Sequence, residues 1–380
     1  MARPKLLFLQ TEDYTFWSHR MPTVRAAKAA GFDVVVALRV RDHGGKISAE
    51  VDRVVPIPWR RSSLNPFHDL AIFLSVWRLY RAERPDIVHH VTAKPILYGT
   101  LAAKLCGVPA VVNTMTGLGF VFISNGLKAR LIRPLLKLAL KLAWSLPNAR
   151  TVFQNGDDRE LFVGGGLIDP AKAVLIKGSG VDVARFAPTP EPPGPPVIVL
   201  PARMLWDKGV GEFVEAARAL KKKGVAARFL LLGEGDPHNP AAVPEATLRA
   251  WRDEGAVEWP GAAADMVAVY SGCHVVCLPS YREGLPKALL EAGACGRPCV
   301  TNDVPGCREV VRDGETGLIV PARDAGALAR ALERLIGDPS LRRRMGEAGR
   351  RRVEAEFSQE RVGREMAALY KDLLERRLRP

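Results

Sequence analysis

Two successive series of short apolar runs, each alternating with helical patterns, constrain the fold of this chain most. The first series contains KLLFLQ, FDVVVALRV and DIVHHV, and the second contains VIVLPAR, ARFLLLGEG and HVVCLPS. Strands that alternate with helices pair in parallel through right-handed crossovers. The sequence therefore predicts an α/β fold that consists of two Rossmann-like, doubly wound domains.

A proline-rich segment separates the two series. Residues 188–196 read PTPEPPGPP and contain six prolines, which a helix interior or a central strand does not tolerate. We therefore predict a first domain at 1–187, a linker at 188–196 and a second domain at 197–358, and the helical pattern at about 359–380 is a candidate to return to the first domain. Ligands of open α/β sheets bind beside the carboxyl ends of the strands, so the expected site is a cleft that both domains face.

The composition is that of a soluble globular protein. Hydrophobic residues make up 47% and charged residues 25% of the chain, which excludes disordered and collagen-like classes. No apolar run approaches the roughly 20 residues that span a bilayer, and the start of the chain lacks a signal-peptide pattern, so we expect a cytoplasmic location. The six cysteines include no CxxC pair, and Cys273, His274 and Cys277 fall in a predicted buried strand, so we expect no metal site.

Positive charge is concentrated in the first half of the chain. The net charge is +14, and residues 101–150 contain seven basic and no acidic residues. Leucines cover a wide arc of a predicted helix in this segment, and four basic residues share one face of it: Arg130, Arg133, Lys137 and Lys141. Such a helix can lie on an anionic membrane surface, and the alternative is a surface helix whose leucines pack on the first domain. No recognition motif for nucleic acid accompanies the charge, so we expect no nucleic-acid partner.

The strongest chemical signal is the segment PSYREGLPKALLEA at 279–292. A predicted buried strand ends before a loop that carries Glu283, and Pro286 begins a helix that holds Glu291. A helix N-terminus binds phosphate, and the two carboxylates can accept hydrogen bonds from sugar and other polyol hydroxyls. The alternative is that Glu283 caps the helix and that Glu291 is a solvated helix residue.

Two neighbouring segments also follow predicted strands of the second series. Arg203 and Lys208 lie five residues apart on a strand-to-helix loop, where they can neutralise a diphosphate leaving group. Gly233 and Glu234 belong to the sequence LGEG, whose glycines permit close approach of a nucleotide to the backbone. The alternatives are a solvated basic loop for the first segment and an ordinary tight turn for the second.

Together these segments resemble a known enzyme family. The stretch LPSYREGLPKALLEAGACGRPCVTNDVPGCREVVRDGETGLIVPARD resembles the signature region of retaining, nucleotide-sugar-dependent glycosyltransferases of family 4, which have the GT-B architecture. The spacing of Glu283 and Glu291 matches the paired glutamates of that family, and Arg203 with Lys208 matches its phosphate-binding pair. The stretch DIVHHVTAKPILYGTLAAKLCGVPAVVNTMTGLGFVF resembles members that build capsule, exopolysaccharide and O-antigen.

The resemblance implies roles for individual residues. Glu283 would contact the transferred sugar, Arg203 and Lys208 would stabilise the departing nucleoside diphosphate, and Glu291 would bind the ribose. Further residues would border the donor: Gly284, Leu285, Pro286, Gly233 and Glu234. Retention would proceed by attack of the acceptor on the face from which the diphosphate leaves, with a phosphate oxygen taking the proton. The nucleotide sugar would be a substrate, so the resemblance implies neither a cofactor nor a metal ion.

The first domain departs from the family pattern at one position. Many relatives have a histidine after the strand AVVNTM, whereas Thr116 stands there in this chain. A loop with the sequence TGLG would then shape the acceptor or donor pocket. The residues expected in this part of the cleft are Thr116, Gly117, Gly119, His90 and Lys94.

The expected function is therefore transfer of a sugar from a nucleotide donor, expected to be UDP-linked, to a polyprenyl-diphosphate-linked glycan in surface polysaccharide biosynthesis. The expected location is the cytoplasmic face of the cell membrane, with peripheral attachment to its anionic lipids. One alternative is a UDP-sugar 2-epimerase of the same fold, which would turn over donor without an acceptor. The other is a non-catalytic basic protein that binds membrane or nucleic acid, which would show salt-sensitive binding and no turnover.

Overall fold

The protein consists of two structural units. A computed structural model describes four stretches of the chain: residues 3–59, 65–117, 126–236 and 239–378. One unit comprises residues 1–180 together with 359–380, and the other comprises residues 181–358. Each unit contains one parallel sheet with helices on both faces, which confirms the predicted α/β class.

The first unit is built on a seven-stranded sheet of order β3-β2-β1-β4-β5-β6-β7. Its strands are β1 Lys5–Glu12, β2 Asp33–Arg39, β3 Arg53–Pro56, β4 Ile87–Val91, β5 Ala110–Met115, β6 Ala149–Phe153 and β7 Ala173–Leu175. Its helices, including the last one of the chain, are α1 Asp13–Ala29, α2 Gly44–Ser48, α3 Pro66–Glu83, α4 Ala93–Cys106, α5 Leu127–Trp144, α6 Gly156–Gly164 and α14 Gln359–Leu378.

Strand β1 shows why this sheet is covered on both faces. Successive side chains of a strand point to opposite faces. Leu6 and Phe8 pack with helices α1 and α14, whereas Leu7 and Leu9 pack with helices α3 and α4. All four side chains are completely buried, as is typical of parallel sheets.

Helix α14 contributes to the core of the first unit. Its side chains at i, i+4, i+8 and i+11, namely Val362, Met366, Tyr370 and Leu373, are buried in one cluster with β1 and α1. The Tyr370 hydroxyl lies 2.7 Å from Nδ1 of His89 on β4, and Nε2 of His89 lies 2.7 Å from Oγ1 of Thr114. Burial lowers the pKa of His89 well below its usual value, so the ring is neutral.

The second unit is built on a six-stranded sheet of order β10-β9-β8-β11-β12-β13. Its strands are β8 Val197–Pro201, β9 Arg228–Leu232, β10 Glu258–Gly261, β11 Val275–Leu278, β12 Cys299–Asn302 and β13 Gly317–Val320. Its helices are α7 Val210–Lys222, α8 Glu245–Asp253, α9 Met266–Ser271, α10 Lys287–Ala294, α11 Cys307–Val310, α12 Ala325–Gly337 and α13 Pro339–Glu356.

The proline-rich segment belongs to the second unit, because the boundary between the units falls at residues 180 and 181. Glu191 accepts two hydrogen bonds from the buried guanidinium of Arg342, at 2.8 and 2.7 Å. The guanidinium of Arg297 donates to the Thr189 hydroxyl at 2.8 Å. These charged partners lie more than 100 residues away in sequence, so the segment is fixed to the body of the second unit.

Neither a metal cluster nor a membrane span is found in the described parts of the chain. Among the described residues, no three His, Cys, Asp or Glu side chains are placed to hold a metal ion. Cys273, His274 and Cys277 are buried in the second unit, and Nδ1 of His274 accepts the backbone N–H of Val197 at 3.0 Å. No described helix combines the length and the apolar character that a membrane span requires.

Tyr370 tests the contribution of helix α14. We expect Tyr370→Ala to lower the free energy of unfolding of the first unit by about 3–5 kcal/mol, because it leaves a cavity in a closed core. Tyr370→Phe should cost about 1 kcal/mol for the lost hydrogen bond to His89. Denaturant unfolding measures both, with the exposed neighbour Lys371→Ala as control. Unchanged stability of Tyr370→Ala would show that the helix adds nothing to this core.

Candidate functional site

The predicted site segments of the second unit lie at one edge of its sheet. Strands β9, β8 and β11 are neighbours and run parallel, so their carboxyl ends lie side by side. The loop after β8 carries Arg203 and Lys208, the loop after β9 carries Gly233, and the loop after β11 carries Glu283. This edge is where open α/β sheets bind their ligands.

Glu283 and Lys208 form the central contact of this edge. Oε1 of Glu283 accepts hydrogen bonds from Nζ of Lys208 at 2.5 Å and from Oγ of the fully buried Ser280 at 2.8 Å. Both charged side chains are more than four-fifths buried. Because both bonds go to Oε1, the carboxylate is oriented while Oε2 retains its capacity to accept from another donor.

Glu283 does not cap the helix that follows it. Helix α10 begins at Lys287, and its N-cap residue is Pro286, which makes no side-chain hydrogen bond to the helix. The capping alternative for Glu283 is therefore wrong, since its carboxylate turns to Lys208 and Ser280 instead. The half-buried Gly284 and Leu285 lie directly before the first turn of α10.

Backbone contacts hold the loops after β8 and β11 together. The N–H of Tyr281 donates to the carbonyl of Asp207 at 2.9 Å. Gly209 has a φ of +71°, and a Cβ there would lie 2.1 Å from the carbonyl oxygen of Pro279. Only glycine fits this approach. Lys208 is therefore placed next to Glu283 by a close contact of two main chains.

The side chain of Tyr281 anchors the same loop from its other side. Its hydroxyl donates to the carboxylate of Glu212 on α7, and the guanidinium of Arg323 lies 4.6 Å from the centre of its ring. Burial and the Glu212 carboxylate raise the pKa of this phenol. Tyr281 therefore remains a neutral donor that ties the Glu283 loop to the body of the unit.

Arg203 and Glu234 occupy the more exposed part of the edge. Arg203 is half-exposed, and its Nη1 pairs with Oδ2 of Asp236 at 2.9 Å. The Glu234 side chain is exposed, and its carbonyl accepts from the N–H of Met204. Gly233, with a φ of +151°, is required because a Cβ would lie 2.0 Å from the carbonyl oxygen of Ala202. The close approach of two main chains within the protein is therefore sufficient to explain why a glycine occupies position 233.

Glu291 is a buried carboxylate. It is only 8% exposed, so the alternative of a solvated helix residue is wrong. Its Oε2 accepts from the hydroxyl of the fully buried Tyr270 at 3.1 Å, and its Oε1 lies 3.3 Å from Nζ of Lys287. Burial raises the pKa of the Glu291 carboxyl, whereas Lys287 and Tyr270 oppose that rise.

The residues predicted in the first unit have different surroundings. His90 is completely buried, with Tyr80 at 3.0 Å and Asn113 at 2.8 Å, and burial lowers its pKa to about 4. A contact of His90 with a ligand is therefore a wrong prediction, since the strand places the ring in the core. Lys94 lies in the first turn of α4, with Asp69 at 3.3 Å.

The other predicted positions of the first unit lie near the carboxyl end of β5. Thr116 and Gly117 directly follow this strand and are half-buried. Gly119 lies outside the described residues. Two residues of the predicted TGLG loop, Thr116 and Gly117, therefore lie at the carboxyl edge of the first sheet.

Helix α5 has three distinct faces. One face is buried and includes Leu140 and Trp144. A second carries the predicted basic residues, of which Arg130, Lys137 and Lys141 are exposed and Arg133 is half-buried. The third is an exposed leucine face at i, i+4, i+7 and i+11, formed by Leu131, Leu135, Leu138 and Leu142, which are 71%, 74%, 56% and 63% exposed. The alternative in which the leucines pack on the first domain is therefore correct for the buried face and wrong for the exposed leucine face.

Comparison with known proteins identifies the family. The family described as glycosyl transferases group 1 matches residues 195–338, and the glycosyl transferase 4-like family matches residues 5–151. The N,N'-diacetylbacillosaminyl-diphospho-undecaprenol alpha-1,3-N-acetylgalactosaminyltransferase of Campylobacter jejuni is 30% identical over 348 residues, covering 88% of this chain and 90% of that protein. The chain belongs to the group 1, family 4-like glycosyltransferases.

Two further similarities agree with this assignment. The UDP-Gal:alpha-D-GlcNAc-diphosphoundecaprenol alpha-1,3-galactosyltransferase of Escherichia coli is 26% identical over 309 residues, which cover 76% of this glycosyltransferase and 75% of that protein. Sucrose-phosphate synthase from Thermosynechococcus elongatus matches the structure with a TM-score of 0.81 at 21% identity, over 98% of this chain and 100% of that chain. The second similarity concerns the fold, which is GT-B as the resemblance implied.

Sequence reasoning missed several residues that shape the glycosyltransferase site. Ser280 and Tyr281 lie inside the predicted segment, but only the structure shows that they donate hydrogen bonds to Glu283 and to Glu212, respectively. Lys287 is spaced four residues before Glu291, a spacing that signals a helical ion pair. Tyr270 carries no such signal, because only the packing of α9 against α10 brings it to Glu291.

The buried Glu291 carboxylate predicts a stability gain on neutralisation. A carboxyl whose pKa is raised by folding contributes stability below its unfolded pKa, and that contribution is lost as the pH rises through the folded pKa. We therefore expect Glu291→Gln to raise the melting temperature of the second unit at pH 7.5 by about 2–4 °C, the shift that about 1 kcal/mol produces. The difference should vanish near pH 4.

Thermal unfolding between pH 4 and pH 8 measures this effect. The control is Glu215→Gln, which changes an exposed carboxylate on α7 and should leave the melting temperature unchanged over the same range. A fall of the melting temperature in Glu291→Gln at pH 7.5 would mean that the ion pair with Lys287 outweighs the cost of burial.

Proposed function

We propose that this glycosyltransferase transfers a sugar from a UDP-linked donor to a polyprenyl-diphosphate-linked glycan, with retention of anomeric configuration. The observation that carries the proposal is the contact of Lys208 with Glu283 beside the start of helix α10. The names of the two relatives support the choice of substrates, since both contain a diphospho-undecaprenol acceptor and one contains UDP-Gal. Both names also specify an alpha linkage.

The donor diphosphate is assigned to Lys208, Arg203 and the positive end of the α10 dipole. A lysine ammonium has three donors, and Glu283 takes one of them. The other two can reach phosphate oxygens while the sugar lies against Oε2 of Glu283. Negative charge grows on the diphosphate as the glycosidic bond breaks, so fixed cations stabilise the transition state more than the bound donor. These groups supply positive charge, and the proposal includes no metal ion.

Retention follows from attack on the leaving-group side. The acceptor hydroxyl bonds to the anomeric carbon on the face from which the diphosphate departs, and its proton passes to the leaving phosphate oxygen. The bond that breaks joins the anomeric carbon to that oxygen, so the products are the glycoside and the protonated nucleoside diphosphate. In this scheme Glu283 orients the sugar, and no protein side chain acts as a base.

Glu291 is assigned to the donor ribose, and Gly284, Leu285 and Pro286 to the border between sugar and phosphates. The polar surroundings of Glu291 support this role, because Tyr270 and Lys287 already orient the carboxylate that would accept the ribose hydroxyls. Gly233 and Glu234 are assigned to the nucleotide end of the donor. Acceptor contact is assigned to residues of the first unit that follow its strands, namely Thr116, Gly117 and Lys94.

The two glutamates should separate catalysis from binding. We expect Glu283→Gln to lower kcat by roughly 10²-fold with little change in UDP affinity, because orientation of the sugar is used fully only in the transition state. Glu291→Gln should weaken UDP binding by about 1–3 kcal/mol, the value of a charge-assisted hydrogen bond. Calorimetric titration with UDP and steady-state kinetics measure the two effects. Equal UDP affinity of wild type and Glu291→Gln would contradict the ribose assignment.

We also propose that helix α5 attaches the enzyme to the cytoplasmic face of the cell membrane. Its exposed leucine face lies beside its basic face, an arrangement that suits insertion at an anionic lipid surface. Each basic residue near such a surface contributes about 1 kcal/mol, and the acceptor's lipid carrier resides in the same membrane. The absence of acidic residues from this helix also supports the proposal.

Vesicle binding tests the two faces separately. Leu135→Ser should weaken binding to anionic vesicles by roughly tenfold, since it removes an inserted side chain worth about 1.5–3 kcal/mol. Leu161→Ser is the matched control, because Leu161 is an exposed leucine of the same unit outside α5. Changing Arg133, Lys137 and Lys141 to glutamate should abolish the preference for anionic over neutral vesicles. Equal vesicle binding by all these variants would remove α5 from the membrane contact.

A further inference from the structure

A second concave site lies in the second unit, away from the donor residues. A cavity of about 560 Å³ is formed by Pro188–Glu191, by Cys295–Arg297 and by one side of helix α13. These segments come before strands β8 and β12, so the cavity lies at the amino edge of the sheet. Lys208 and Glu283 lie at the carboxyl edge, and the four residues of β11 alone span about 13 Å between the two edges.

Arg297 places a buried positive charge in the wall of this cavity. It is 3% exposed, and its guanidinium donates to the carbonyls of Tyr270, Ser271 and Pro190 and to the Thr189 hydroxyl. All of these acceptors are neutral, and no carboxylate of the described chain pairs with this guanidinium. A buried charge is costly unless an opposite charge lies near it. The nearby carboxylate of Glu191, whose pKa Arg297 helps to lower, is hydrogen-bonded to Arg342 instead, so the cavity wall favours a further anion.

Helix α13 adds three more guanidinium groups to the same cavity. Arg350 is held by the carbonyls of Val183, Phe186 and Ala294, besides Glu354 at its Nε. The other two, Arg343 and Arg351, lie two turns apart on the helix and are exposed.

The carboxylates of the cavity do not balance these cations. The lining contains four arginines but only two glutamates, Glu191 and Glu347. Glu191 is engaged by both Nε and Nη2 of Arg342, which lies outside the lining. The lining therefore carries more positive than negative charges.

We propose that this cavity binds a small, soluble, multiply charged phosphate compound, as a second ligand site distinct from the donor site. Guanidinium groups bind phosphate oxygens through paired hydrogen bonds, and the volume is within the range of small-molecule sites. Because Pro188–Glu191 forms one wall, a bound phosphate also holds the proline-rich segment on the second unit. A ligand at this site would therefore contact both the proline-rich segment and the body of the second unit.

Inorganic pyrophosphate is the probe for this site, measured by equilibrium dialysis. The measurements use a Lys208→Ala enzyme that also carries Arg203→Ala, so that both proposed donor-site cations are absent. We expect this enzyme to retain pyrophosphate binding. The additional exchange of Arg343 and Arg351 for alanine should weaken that binding by roughly tenfold or more, because it removes two charge-assisted contacts.

The matched control is the exchange of Arg334 and Arg344 for alanine in the same doubly substituted enzyme. Both arginines are exposed, lie on α12 and α13 outside the cavity, and change the net charge equally. The control should bind pyrophosphate as tightly as its parent. No binding in the doubly substituted parent enzyme, unchanged binding without Arg343 and Arg351, or an equal loss in the control would each overturn the proposal. Since none of these readouts uses sugar transfer, their outcome is independent of the proposed reaction.

Discussion

Parallel strand pairing is the constraint on which the site of this glycosyltransferase depends. In a parallel sheet all strands end at the same edge, so loops that are far apart in sequence meet there. Lys208 follows β8 and Glu283 follows β11, and the two strands are hydrogen-bonded neighbours. The 2.5 Å contact of their charged groups is then a consequence of sheet order, with Gly209 providing the close approach of the two loops. A cation and an oriented carboxylate are thereby held beside the N-terminus of helix α10.

The site combines groups that favour binding with groups that cost stability. Glu291 is buried, and its raised pKa shows that the fold disfavours its charge. Tyr270 and Lys287 reduce that cost without removing it. A carboxylate that is kept ionised in a largely dry position accepts hydrogen bonds more strongly than one in water. In the proposed reaction, a strong hydrogen-bond acceptor at Glu291 would hold the ribose hydroxyls. This role would give a physical reason for a destabilising charge in helix α10.

The sequence predicts those features that depend on local pattern. Strand-helix alternation predicts the two parallel sheets, and the position of charged residues after apolar runs predicts that Arg203, Lys208 and Glu283 lie at one edge. Features that depend on distant packing are not predictable in this way. The burial of His90 beside Tyr80 and Asn113 is one example. The alternation of side chains along a strand shows which residues share a face, but it does not show whether a helix covers that face.

Helix α5 shows the same limit of periodicity, and it also shows what the structure adds. At about 100° per residue the leucines of this helix form two arcs, and both arcs fit an amphipathic pattern. The core of the first unit covers only the arc with Leu140 and Trp144, through contacts of Trp144 with Phe153 and Phe162. Leaving the second arc in water forgoes about 25 cal/mol for each Å² of apolar surface. Its position next to Lys137 and Lys141 supports the proposed attachment to a lipid surface, which has an apolar interior and anionic headgroups.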